Sequence, residues 1–103
     1  FIAHRYDATY AMLRGINFVK DLKDMPTAYL KRIYVDTSGD RTPANYISSL
    51  ELFGPGHILW GSDYPAKKDM AGAIKFLDSL SLSGPEKQGI LGGNLQKILS
   101  NVR

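Results

Sequence analysis

The chain has no cysteine among its 103 residues, and it has only one tryptophan. Without cysteine it can form neither disulfides nor thiolate metal sites. No apolar run approaches the roughly 20 residues that a membrane-spanning helix needs, and no signal peptide is visible. We therefore expect no membrane association and a cytoplasmic location.

The excess of positive over negative charge is also small. The formal net charge is +3, and the longest basic run is Lys67-Lys68. Proteins that bind nucleic acid through its phosphates concentrate basic residues on one face, so we expect no nucleic-acid partner. What is present is a globular composition, with 44% apolar and 22% charged residues, in a length that holds one domain at most. Phe1 opens inside an apolar, patterned segment, which predicts a cut point in a longer protein.

Apolar residues at helical spacing alternate with two short β-branched or aromatic runs, which predicts an α/β fold. The order is helix, strand, helix, strand, helix, helix, helix, with strands at residues 33–35 and 57–60. The expected helix starts are Thr42, Asp69, Ser83 and Asn94, and Thr27 is the candidate cap of a short turn that carries Ala28, Tyr29 and Leu30. Gly92-Gly93 is expected to stop the helix before Asn94. The expected apolar helix faces are Ile2, Tyr6, Tyr10, Leu13 and Ile16; Ala44, Ile47, Leu50 and Phe53; Met70, Ala73, Ile74 and Leu77; and Leu95, Ile98 and Leu99.

The strand–helix–strand middle of the chain has the length of a parallel β–α–β unit. Both strands are continuous apolar runs, which is typical of strands buried on both faces. Two strands alone leave both edges of the sheet unpaired. We therefore expect further strands outside this chain.

Each predicted strand ends at an aspartate. Asp36 follows the first strand and Asp63 the second. Because parallel strands share one carboxyl edge, we expect the two carboxylates about 5–10 Å apart. Such a pair can bind a divalent ion or act as a general base. The alternative is structural, since Asp often holds turns after strands.

Around Asp63 the turn has specific features. Gly61 permits close backbone approach and Pro65 fixes the exit from the turn. Tyr64, next to Asp63, is placed to border a substrate pocket, whereas Tyr6, Tyr10, Tyr29 and Tyr34 are expected in the core or an interface. Asp36 is the second candidate at this edge, as a substrate-side or a turn-holding group.

Four segments, in order and spacing, resemble the amidohydrolase superfamily. Residues 60–65, WGSDYP, resemble the GSDYP signature that ends the last barrel strand of its amidohydrolase-related branch, which includes aminocarboxymuconate-semialdehyde decarboxylase. Residues 32–37, RIYVDT, are similar to the penultimate strand of that branch. Residues 91–94, LGGN, and residues 5–7, RYD, look like its C-terminal turn and the helix before the strands.

The resemblance implies the C-terminal portion of a (β/α)₈ TIM barrel, with the last two strands and their flanking helices in residues 1–103. It implies a metal-dependent hydrolase or a carbon–carbon lyase that decarboxylates a small carboxylated substrate. Asp63 is then both a catalytic residue and a ligand of a divalent metal, with zinc the expected ion. The expected partners are the small-molecule substrate and a second copy of the chain in a homo-oligomer. The family's His-x-His pair is absent, so the fragment alone is expected to be inactive.

The remaining candidate residues are two histidines and two lysines, whose roles are either structural or functional. His57 enters the second strand at its amino end, which favours a structural role. His4 is either part of a helix or a metal ligand at a strand end, and the helical face around it favours the helix. Lys67 and Lys68 are expected to be solvated, with a substrate carboxylate as the alternative partner. The alternative function for the whole chain is a non-catalytic, truncated α/β module that binds another protein through its sheet edges.

Overall fold

The computed structural model describes residues 2–39 and 41–102. Phe1, the predicted cut point, and also Asp40 and Arg103 lie outside the described residues. The helices and strands are α1 (Ile2–Gly15), α2 (Pro26–Leu30), β1 (Val35–Asp36), α3 (Pro43–Phe53), β2 (Ile58–Leu59), α4 (Met70–Asp78), α5 (Gly84–Gln88) and α6 (Asn94–Ser100). A 3₁₀ turn, Pro55–His57, precedes β2, and a π-helical turn, Gly89–Gly93, joins α5 to α6. Among the described residues, no helix combines the length and apolar composition needed to cross a bilayer.

The two strands form the predicted parallel pair. Val35 lies opposite Ile58 and Asp36 opposite Leu59, with α3 as the crossover. This confirms the strand–helix–strand unit. The strands are shorter than predicted, because Ile33 and Tyr34 precede β1 and remain 48% and 45% exposed. Of the four strand residues only Ile58 is fully buried in this chain. Burial of the strands on both faces, which was predicted together with further strands outside the chain, stays a prediction.

The core lies between the sheet, α3, α4 and the π-helical turn. Its centre is Tyr46, Ile58, Leu77 and Ile90. Packed around it are the partly buried side chains of Val35, Leu50, Trp60, Phe76, Leu80, Leu82 and Leu91. This small core fixes the relative position of β2 and the segments that follow it.

Helical periodicity was predicted correctly, but which face is buried was predicted only in part. In α4, Ala73 and Leu77 are buried as expected. In α3 the buried residue is Tyr46, whereas Ile47 is 59% exposed, so the predicted face is wrong there. The other exposed members of the predicted faces are Tyr6, Ile16, Ala44, Met70, Ile74, Leu95 and Leu99. The large side chains among them are 40–68% exposed.

Three helix starts are capped as predicted by nearby side chains. The Thr42 hydroxyl accepts from the Asn45 amide at 3.4 Å, and Pro43 is the first helical residue of α3. Asp69 accepts from the Gly72 amide at 2.8 Å at the start of α4. Before α5, Ser83 and Glu86 form a reciprocal capping box. In each case the side chain reaches a backbone amide three residues further on.

Thr27 does not cap α2, so that prediction is wrong. The helix begins at Pro26, and the Thr27 amide and hydroxyl both donate to the Asp7 carboxylate of α1, at 2.8 and 2.5 Å. These hydrogen bonds, the one from the Thr27 hydroxyl first, lower the pKa of Asp7. Asp7 thus caps α2 from another helix, which ties α1 to α2.

Asn94 does not cap α6 with its side chain. The helical backbone is interrupted before it, because Gly92 leaves helical geometry (φ 173°, ψ −27°) and the chain kinks between α5 and α6. This confirms the stop predicted at Gly92-Gly93. Asn94 is 4% exposed, and its Nδ2 donates to the carbonyls of Pro55 and Ile58, each at 2.8 Å. Its amide holds the entry to β2 instead of the helix start.

The molecule is elongated. Its radius of gyration is 16.5 Å and its extents are 51 × 35 × 28 Å, whereas a compact domain of this length has a radius of gyration of about 13 Å. The extended shape goes with the exposed apolar helix faces, since a small core leaves much of the apolar surface uncovered.

Candidate functional site

At the carboxyl edge of the sheet, Gly61 lies close to Asp36, two residues before Asp63. The predicted separation of the two carboxylates stays a prediction. Gly61 lies against β1: a Cβ atom built there would be 3.4 Å from Asp36 Cγ and 3.4 Å from Ser38 Cβ. The expectation that Gly61 allows close backbone approach is therefore confirmed. The chain passes over Asp36 immediately before it reaches Asp63.

Asp63 sits in a left-handed backbone conformation, with φ at 59°. Its side chain is exposed, and its carbonyl accepts from the Lys67 amide at 2.8 Å. Left-handed backbone disfavours most side chains by about 1–2 kcal/mol, and Asp is among the few that tolerate it. The turn therefore presents one carboxylate outward at the edge of the sheet, on a backbone held by its neighbours.

Thr37 holds this turn, and its role was not predicted. It is 6% exposed. Its amide donates to the Leu59 carbonyl at 3.0 Å. Its hydroxyl accepts from the Gly61 amide at 3.0 Å and donates to the Gly61 carbonyl at 3.2 Å. The Thr37 hydroxyl thus adds two hydrogen bonds between the two segments just beyond the end of the β1–β2 pairing. The only signal in the sequence was a hydroxyl residue directly after a strand-end aspartate.

Two cations tie the loops at this edge together. Arg41 Nη2 donates to the Ser62 carbonyl at 3.2 Å and Nη1 to the Asp69 carbonyl at 3.4 Å. Lys67 Nζ donates to the carbonyls of Ser38 and Gly39 at 2.9 and 2.6 Å. The expectation that Lys67 is simply solvated is therefore wrong. Arg41 was not predicted at all, because carbonyl partners 21 and 28 positions away leave no local pattern.

Asp36 is engaged by its own turn. Its carboxylate accepts from the Ser38 amide at 2.9 Å and also from the Ser38 hydroxyl. These bonds, the hydroxyl's first, lower the pKa of Asp36. Of the two predicted roles, the geometry displays the turn-holding one, and the substrate-side role stays a prediction.

Tyr64 extends outward from the same edge. Its side chain is 68% exposed, and its amide donates to the Ser62 hydroxyl at 3.2 Å. The peptide bond between Tyr64 and Pro65 is cis. An exposed ring beside Asp63 is placed to border a pocket, so its predicted substrate contact stays a prediction.

The two histidines lie away from Asp63. His57 precedes β2 at the amino edge, where its ring stacks on Tyr34 at 4.3 Å and its Nδ1 lies 3.2 Å from the Ile33 carbonyl. This agrees with the structural role expected of it. His4 lies on α1, with Nε2 3.8 Å from Glu51 in the second half of α3. In a β–α–β unit that half of the helix leads to the amino end of the next strand, opposite to the edge that carries Asp63.

The donors at the edge fit a metal ion in part. An exposed carboxylate on a fixed backbone suits one oxygen ligand of a divalent ion. Within residues 2–39 and 41–102, however, no three His, Asp or Glu side chains are grouped so that they could hold an ion. Asp63 can therefore supply one ligand, and a complete site needs others.

A small cavity adjoins the site on its α3 side. Its volume is about 170 Å³, and its lining includes Asp36, Thr37, Asn45 and Tyr46. Pockets for small-molecule ligands usually measure about 300–1,000 Å³. The cavity is therefore smaller than a usual ligand pocket.

No family model and no curated protein matches the chain. Two solved structures do resemble it. One is 5-carboxyvanillate decarboxylase LigW from Sphingomonas paucimobilis, with a TM-score of 0.77 and 28% identity over 95% of this chain and 29% of that chain. The other is a dihydroxybenzoic acid decarboxylase from Polaromonas sp. JS666, solved with manganese and the inhibitor 2-nitroresorcinol. It has a TM-score of 0.64 and 23% identity over 91% of this chain and 31% of that chain.

The likeness establishes a shared fold over a limited part of these enzymes. The chain spans less than a third of either decarboxylase, 29% of one and 31% of the other. At 23% identity the second comparison speaks for the fold alone. Both solved structures are named as decarboxylases, and one of them binds a divalent metal.

Proposed function

We propose that this chain is the C-terminal portion of a (β/α)₈ barrel decarboxylase of the amidohydrolase-related branch, and that it presents Asp63 to the active site. The observation that carries the proposal is the geometry at the end of β2. There an exposed carboxylate stands at the carboxyl edge of a parallel strand, where barrel enzymes keep their catalytic groups. The likeness to two decarboxylases supports the same conclusion.

For the reaction, we favour decarboxylation over hydrolysis. The two similar enzymes are named after substituted benzoates, 5-carboxyvanillate and dihydroxybenzoic acid. The substrate class we propose for this protein is therefore a small aromatic carboxylate. Arg41 and Lys67 place two positive charges at the edge of the site, and cationic residues there favour the approach of an anionic substrate.

For the cofactor, we propose a divalent metal that takes Asp63 as one of its ligands. Manganese is bound in one similar structure, so manganese stands beside zinc, the ion first expected. When bound, such an ion supplies a Lewis acid that holds and polarises the substrate. The chain's own contribution is to orient the Asp63 carboxylate, since its turn is fixed by hydrogen bonds on both sides.

The first test is Asp63→Asn in the full-length protein, defined by reading the coding sequence on both sides of this chain. The substitution keeps size and removes charge, and we expect it to lower the rate of CO₂ release from substituted benzoates by at least about 100-fold. Glu51→Gln is the matched control, because it neutralises an exposed carboxylate of α3 that lies away from the site. Normal turnover by the Asn variant would rule out the role of Asp63.

A non-catalytic interaction module is the second candidate function. The observation in its favour is the number of exposed apolar side chains on α1, α3 and α6, including Tyr6, Ile47 and Leu99 at 59–60% exposure. Apolar surface of this kind marks a place where another chain packs. A barrel portion would cover it with the rest of the barrel, whereas a module would cover it with a partner protein.

A further inference from the structure

The Thr37 hydroxyl makes two hydrogen bonds, both to the backbone of Gly61. It accepts from the Gly61 amide at 3.0 Å and donates to the Gly61 carbonyl at 3.2 Å. A threonine hydroxyl has one donor and two acceptor positions, so this single contact engages its only donor. The bond fixes where Gly61 lies relative to β1.

The segment after Gly61 has little freedom left. The Ser62 carbonyl accepts from Arg41 Nη2 at 3.2 Å, and the Asp63 carbonyl accepts from the Lys67 amide at 2.8 Å. The left-handed backbone of Asp63 lies between these bonds. The direction of the Asp63 carboxylate therefore depends on the position at which Gly61 enters the turn.

We propose that Thr37 is a positioning residue for Asp63, acting through Gly61 and touching neither substrate nor metal. The inference rests on the proposed function, because it assigns to Thr37 a task in the chemistry of Asp63. The competing role is that of a buried hydroxyl satisfied by the nearest backbone groups, which would contribute to stability alone.

The test compares Thr37→Val, which keeps the shape and removes the hydroxyl, with Thr37→Ser, which keeps the hydroxyl. In the full-length protein we measure kcat and KM for a substituted benzoate, and the affinity for Mn²⁺ by competition with a chelator. We expect Thr37→Val to lower kcat or Mn²⁺ affinity by about 10- to 100-fold, as loss of an orienting partner does. KM should change little, and Thr37→Ser should restore most of the loss.

Tyr46→Phe is the matched control. It also removes one hydroxyl from the buried region, the one that donates to the Thr37 carbonyl at 3.4 Å, but it leaves the bonds to Gly61 in place. We expect it to lower the unfolding temperature without changing kcat or Mn²⁺ affinity. Amide exchange gives a readout independent of turnover: the Gly61 amide should exchange faster in Thr37→Val than in Thr37→Ser.

The outcomes separate the two proposals. If Thr37→Val loses only stability, as Tyr46→Phe does, while Asp63→Asn is inactive, the positioning role is overturned and the proposed function stands. If Asp63→Asn keeps its activity, the proposed function fails and the positioning role fails with it. Should Thr37→Val not fold, Thr37→Ala replaces it, and wild-type kcat and Mn²⁺ affinity in that variant would overturn the inference.

Discussion

Two aspartates follow the two strands, and their carboxylates have different surroundings. Asp36 accepts from the amide and the hydroxyl of Ser38. Asp63 is exposed on a turn that other residues hold through its backbone. The Asp36 carboxylate uses acceptor positions for hydrogen bonds within its own turn, so fewer remain for a ligand. The turn of Asp63 is held through backbone groups, which leaves its carboxylate available. This difference is the reason for assigning the chemistry to Asp63.

Ser38→Ala tests the account of Asp36. The variant keeps the backbone amide and removes the hydroxyl, which is the larger cause of the lowered pKa, so we expect the pKa of Asp36 to rise toward its ordinary value. A pKa lowered by folding gives a contribution to stability that is present above the unfolded-state pKa and is lost as pH falls through the folded-state pKa. The variant should therefore show a smaller loss of stability on acidification.

NMR titration of the Asp36 carboxyl carbon measures this shift directly. Ser48→Ala is the control, since it removes an exposed hydroxyl from α3. An unchanged Asp36 pKa in Ser38→Ala would show that the hydroxyl is not the cause.

At the scale of elements, the helix caps that depend on local hydrogen bonds were predicted correctly, and those whose side chains bond to distant groups were not. Thr42, Asp69 and Ser83 cap helices by bonds that span three residues, and each was predicted from a short pattern. Thr27 and Asn94 looked like caps as well, but their partners lie 20 and up to 39 positions away. Once a polar side chain is bonded to a distant group, it is not free for the local role that its type favours.

Asn94→Ala tests the weight of such a distant contact. The variant leaves the buried carbonyl of Ile58 and the partly buried carbonyl of Pro55 without this donor. We therefore expect the free energy of unfolding to fall by about 1–3 kcal/mol for the unsatisfied groups. Urea unfolding of the chain measures it. Asn101→Ala, at an exposed position after α6, should change the free energy of unfolding by less than about 0.5 kcal/mol. Equal effects of the two variants would contradict the assigned role of Asn94.

At the scale of the whole molecule, a small core supports an elongated structure. Four residues form the core centre, while apolar side chains on several helices stay exposed. Removing exposed apolar surface from water is favourable in free energy, so such surface tends to be covered by other protein. Both candidate functions provide a cover, either the rest of a barrel or a partner protein.

We therefore expect the chain alone to self-associate, with a weight-average mass in sedimentation velocity that rises with concentration. Ile47→Lys should weaken the association because it replaces a side chain that is 59% exposed. Ser48→Lys adds the same charge on α3 without removing an apolar group and should weaken it less. A monodisperse monomer at all concentrations would contradict the expectation.

Co-expression with the remaining segments of the full-length protein discriminates between the two functions. A barrel portion should become monodisperse only together with those segments, and should then respond to Mn²⁺. An interaction module should remain a discrete species whether or not the segments and the metal are added.

Short sequence patterns predicted three of the caps, the two strand-end aspartates and, except for the short helix α2, the order of helices and strands. These depend on periodicity and on bonds within a few residues, which a short stretch of chain contains in full. Only the tertiary structure decided which helix faces are buried, that Asp7 and Asn94 bond to distant segments, and that Thr37 holds Gly61 beneath the turn of Asp63. Those contacts join residues that are far apart along the chain. Their geometry exists only once the β–α–β unit has formed.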